Sequence, residues 1–86
     1  MTPQEISERL AAATDATAEN QLEDITLNLW RDGQRWRAAT YFRMAAVAYR
    51  ESAGHLRRAG NVSAADYRYT MANEWSAWAD TLEENP

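Results

Sequence analysis

The single histidine, His55, stands four residues after Glu51. On a helix the carboxylate sits one turn before the imidazole and orients it, which is half of many acid–base sites. The other half is missing, because the chain has no Cys and no second His, and no Ser lies in a motif that marks a nucleophile. The pair also lacks the three-residue Glu-x-x-His spacing of di-iron bundles. It reads as a surface histidine with an ordinary helical neighbour. Glu19, Glu23 and Asp24 are hard oxygen ligands in kind, but a cation site needs a turn geometry that no loop motif here supplies. They read as a solvated face. With three Gly in the whole chain, phosphate-cradling loops are not expected either. The sequence therefore predicts no catalytic residue, no metal ligand and no cofactor: not an enzyme.

Binding chemistry is better represented. Arg43, Arg50 and Arg57 recur every seven residues and line one stripe of a helix, with Trp36, Val47 and Gly54 close by on the same side. Arg and aromatic side chains dominate interface hot spots, and Gly permits close helix approach. Tyr67, Met71 and Trp78 form a second stripe. Candidate partner-binding residues are thus Trp36, Arg43, Val47, Arg50, Arg57, Tyr67 and Trp78. Burial beneath the N-terminal helix is the competing explanation for the Arg stripe, and ordinary core packing for the second.

Charge is divided sharply along the chain. Residues 1–32 hold seven acids and two Arg, residues 33–59 six Arg and one acid, and residues 60–86 five acids and one Arg. A basic helix alone would suit nucleic acid, since Arg neutralises phosphates and releases counterions. Acidic segments on both sides must pack beside it in so small a fold, so neutralisation within the bundle is expected instead. An antiparallel hairpin would bring Arg35 and Arg37 near Glu83 and Glu84.

The elements that position these residues follow from capping and periodicity. Thr2, Pro3 and Glu5 form a capping box that starts a helix at Pro3. Ile6, Leu10 and Ala13 make one apolar stripe, and Leu22, Ile25 and Leu29 another, offset around the axis. One straight helix cannot bury both equally, so a kink or split is expected in the polar stretch Thr14 to Asn20, with a second segment reaching about Asp32 and a stop at Gly33. From Gln34 to Ala59, a seam of Ala38, Phe42, Ala45, Tyr49, Ser52, Leu56 and Ala59 alternates spacings of four and three. Gly60-Asn61 ends that helix. Ser63 caps the next, which carries Ala65, Arg68/Tyr69, Ala72, Trp75, Ala79 and Leu82 at three-four spacing. The short link implies an antiparallel hairpin.

Tyr49, Ala53, Leu56, Gly60, Ala65, Tyr69 and Ala72 fall where a tetratricopeptide unit has its helix-A aromatic, small residue, second large residue and turn Gly, then the Ala, aromatic and Ala of helix B. Residues 45–82 therefore resemble one such unit. Ser52 replaces the usual Leu, Ala77 stands where the closing Pro should be, and no second copy follows. The resemblance implies peptide or protein binding along a helical groove.

Composition agrees with a helical domain. Leu, Ile, Val and Phe are only 11 of 86 residues, while 17 Ala, four Trp, four Tyr and three Met supply the apolar surface. Ala is the best helix former. The expected fold is all-α: one domain spanning 1–86, a small three-helix up-down-up bundle with a long antiparallel C-terminal hairpin and a kinked or split first helix. No apolar run suits a membrane span, and the polar start is unlike a secretory signal, so a cytoplasmic location is expected. All nine basic residues are Arg, which suits a GC-rich genome such as that of an actinobacterium or one of its phages. The expected function is a non-catalytic protein–protein interaction module, acting as a homodimer or on a partner whose identity the residues do not reveal. The alternatives are a phage-encoded modulator of a host protein and an Arg-stripe nucleic-acid binder.

Overall fold

The computed structural model describes residues 1–24, 33 and 35–84, with the side chains of Asp24, Arg35 and Trp36 left out of the description. The described residues form three helices and no strand: α1 (Pro3–Asp24), α2 (Arg35–Arg58) and α3 (Val62–Glu84). None of them is long and apolar enough to cross a membrane.

Thr2 caps α1 as expected. Its hydroxyl accepts from Glu5 N at 3.2 Å, and its carbonyl accepts from Ile6 N at 3.0 Å. The interruption expected between Thr14 and Asn20 is unbroken helix. Thr14 and Thr17 turn their hydroxyls back onto the Leu10 and Ala13 carbonyls, so their polar groups are satisfied without leaving the helix. The proposed continuation through Ile25 and Leu29 to Asp32 lies outside the described residues.

The turn between α2 and α3 is a Schellman motif. Gly60, at φ +84°, donates to Arg57 O at 3.0 Å, and Asn61 donates to Leu56 O at 2.9 Å. Asn61 then serves α3 as well: its side-chain oxygen accepts from Ala64 N at 3.2 Å and its carbonyl from Ala65 N at 3.1 Å. The cap is Asn61 rather than Ser63, because one residue both closes the first helix and opens the second.

α2 is the central element. It packs on both α1 and α3, whereas no Cα of α1 comes within 8 Å of one in α3 among the described residues. All seven seam residues of α2 are buried: Ala38, Phe42, Ala45, Tyr49, Ser52, Leu56 and Ala59. A second row, Ala39, Ala46 and Ala53, is buried beside it, so α2 meets a neighbour on each side. From α3, Ala65, Ala72, Ala79 and Leu82 are buried and Trp75 partly so, its ring stacked on Phe42 at 5.1 Å between centroids. The α1 stripe differs from expectation. Ile6 and Leu10 are exposed, and Ala11 and Ala18 are buried instead, with Leu22 packed against the same core. Small residues let α1 approach the alanines of α2 closely, and Ser52, replacing the larger Leu of the tetratricopeptide pattern, donates to Ala11 O at 3.3 Å.

Candidate functional site

The cationic stripe of α2 does not stand free. Arg43 bonds Asp80 at 2.6 Å and Glu83 at 2.8 and 3.1 Å on α3. Those hydrogen bonds hold its guanidinium more firmly protonated, and they pull the Glu83 carboxyl below the ordinary carboxylate range. Arg50 bonds the Ser76 hydroxyl at 3.1 Å. Both residues bond α3, and Arg43 also lines a cavity with Thr17 and Gln21 of α1. Arg43 thus pairs with Glu83, while the Arg35 side chain lies outside the described residues. Arg57 is exposed.

His55 accepts a hydrogen bond at Nδ1 from Arg58 Nη2 at 2.5 Å and makes none with Glu51. The acid–base pair suggested by spacing is therefore not assembled. Glu19 and Glu23 are exposed. Among the described residues, no three His, Asp or Glu converge as a metal site would require.

The remaining candidates divide between two faces. Val47 lies with Met44, Ala48 and Glu51 of α2 and Thr17 and Gln21 of α1 around a shallow, mostly apolar cavity of about 460 Å³. Gly54 shares this side of α2 by spacing, yet among the described residues no helix approaches it: a Cβ there would meet only the Arg58 head group, at 3.8 Å. Gly54→Ala should therefore stabilise the domain by about 0.5–1 kcal/mol, the ordinary gain from replacing a mid-helix Gly. A lowered urea midpoint for that variant would show that the space is needed. The Trp36 side chain lies outside the described residues.

Tyr67 and Trp78 are on the other face, 59% and 56% exposed. Eleven residues apart, they lie on one line of α3 about 16 Å long, with Met71 partly buried between them. Beside Tyr67, the structure assembles a feature not visible in spacing. Arg68 donates to Asp15 of α1 through Nε at 3.1 Å and pairs with it through Nη2 at 3.1 Å, bridging α1 to α3. The same guanidinium lies over the Tyr67 ring, 5.4 Å from its centroid. Asp15, Glu19, Tyr49, Tyr67, Arg68 and Met71 enclose a polar cavity of about 180 Å³. Burial, with Glu19 and Asp15 next, raises the Tyr49 phenol above its ordinary pKa, so it stays a neutral O–H.

No family model matches the chain, and no curated protein or solved structure is significantly similar to it.

Proposed function

We propose that the chain is a non-catalytic protein–protein interaction module of the cytoplasm that self-associates through the Tyr67, Met71 and Trp78 stripe of α3. The carrying observation is the exposure of two large aromatic side chains on one helix line. Aromatic residues supply much of the energy of protein interfaces, and a C2 dimer would bury the same patch of both copies against itself. Arg50 bonds Ser76, about half a turn around α3 from Tyr67, so it belongs with Arg57 and Val47 to a second contact on the opposite face. Arg43 contributes less, because Asp80 and Glu83 already occupy it. That occupancy also disfavours the nucleic-acid reading, in which the Arg stripe must meet phosphates.

The same reading takes the helices as an up-down-up bundle. Ser52 meets Ala11, and Ala45 and Tyr49 cluster with Ala18. Across α3, Leu56 clusters with Ala65, Arg50 meets Ser76, and Arg43 meets Glu83. Partner numbers fall as α2 numbers rise, which supports antiparallel neighbours on both sides. α1 bends at Thr14 and Thr17, where hydroxyls bonded back into the helix favour curvature. The tetratricopeptide resemblance of residues 45–82 fits a hairpin built for binding polypeptide.

NMR spectra recorded on dilution from millimolar to micromolar concentration test the surface. Shifts concentrated at Tyr67, Met71 and the Trp78 indole are expected. Concentration-dependent shifts confined to Met44 and Val47 would move the interface to the other face and overturn the assignment.

A further inference from the structure

The cavity beside Tyr67 has the makings of a ligand site because its floor holds an unused hydrogen-bonding group. Tyr49 is only 3% exposed, yet among the described residues its hydroxyl has no hydrogen-bond partner. A hydroxyl without a protein partner at a cavity wall is open to whatever enters. The hydroxyl is not sealed in, since Tyr49 lines a cavity open between α1 and α3. The charge of that cavity is unbalanced. Asp15 and Glu19 are two carboxylates against one guanidinium, and Asp15 already holds that guanidinium, so among the described residues Glu19 is left as an acceptor with no cation. Glu8 and Glu23 lie on the same side of α1 by spacing and add negative potential at both ends of the opening. The Met71 thioether supplies a soft wall, while the Tyr67 ring already carries the Arg68 guanidinium.

The geometry points to a binding site for one guanidinium or ammonium group, held by the Glu19 carboxylate and the Tyr49 hydroxyl oxygen. The charge requirement excludes an anion, and the volume admits one head group rather than an extended ligand. The site adjoins the proposed association stripe, so the natural source is an Arg or Lys side chain of a docked polypeptide. That source rests on the interaction-module reading, whereas the cation site itself does not.

Titration of the unmodified chain with blocked arginine (N-acetyl-arginine methylamide), monitored by NMR of the Tyr49 and Tyr67 ring protons, is the test. Saturable shifts at these rings in the millimolar range are expected, with none from the blocked citrulline analogue, which has the same shape without the charge. Glu19→Gln, an exposed substitution that leaves the core intact, should weaken binding about threefold to tenfold, the worth of a charge-assisted hydrogen bond. Tyr49→Phe keeps the packed ring and should weaken it about twofold to fivefold. Agmatine and putrescine separate the sources: binding far tighter than that of blocked arginine would assign the site to a free amine, and comparable binding to a side chain. Equal shifts with the citrulline analogue, absence of saturation, or an unchanged affinity in Glu19→Gln would each overturn the site. Glu19 and Tyr49 lie outside the association stripe, so failure of their variants to weaken binding is distinguishable from failure of the dimer.

Discussion

Leu56→Ala should destabilise the domain by about 2–5 kcal/mol, the range for removing a buried leucine. Leu56 is the one large side chain of the buried cluster it forms with Ala11 of α1, Ala53 of α2 and Ala65 of α3. Three alanines cannot expand into the space it leaves. Partly buried Tyr69 and Ala64 border the cluster, and Tyr69 can reclaim some of the volume, which favours the lower half of the range. Since domains of this size are stable by only about 5–10 kcal/mol, much of the margin would go. A urea titration by circular dichroism reads the effect directly, and a midpoint within error of the parent would mean that the hairpin end is not packed through Leu56.

Ala72→Leu should destabilise by about 1–3 kcal/mol for the opposite reason, overfilling. Ala72 is fully buried and meets Ala45, Ala46 and Tyr49 at the centre of the bundle. Interfaces made of facing alanines set helix spacing by backbone approach, so three added carbons have no unoccupied volume to enter. Relief requires α3 to slide or tilt, which disturbs the Arg43 and Arg68 bridges at either end. Ala77→Leu, on the exposed side of the same helix, is the control and should lie within about 0.5 kcal/mol of the parent. Equal thermal melts for the two variants would contradict the close alanine interface.

How much of this was legible in the residues depended on contrast. The α2 seam could be read because Phe42, Tyr49 and Leu56 recur every seven residues against charged neighbours. The buried face of α1 could not, because Ala11 and Ala18 carry no contrast beside Ile6 and Leu10. Hydrophobicity alone favours the larger pair, whereas a helix set against alanines buries its smallest residues. The cap at Asn61 was hidden by Ser63, an equally good capping residue two positions on, and only the Schellman bonds decide between them. Charge sums foretold neutralisation of α2 but not its register, so Arg43 with Asp80 and Glu83 was missed. The Asp15, Tyr49 and Arg68 cluster was invisible for a deeper reason. Its members come from three helices, and only tertiary packing brings them together.

The central claim is that exposed aromatic surface on α3 is an association surface. Sedimentation equilibrium of the chain at micromolar concentration, alongside the Trp78→Glu variant, tests it most directly. The parent mass should rise with concentration toward twice the 9.8 kDa of one chain. The variant should stay at one chain mass while keeping the parent's helical circular dichroism. A parent mass near 9.8 kDa across the whole range would contradict self-association through Tyr67 and Trp78.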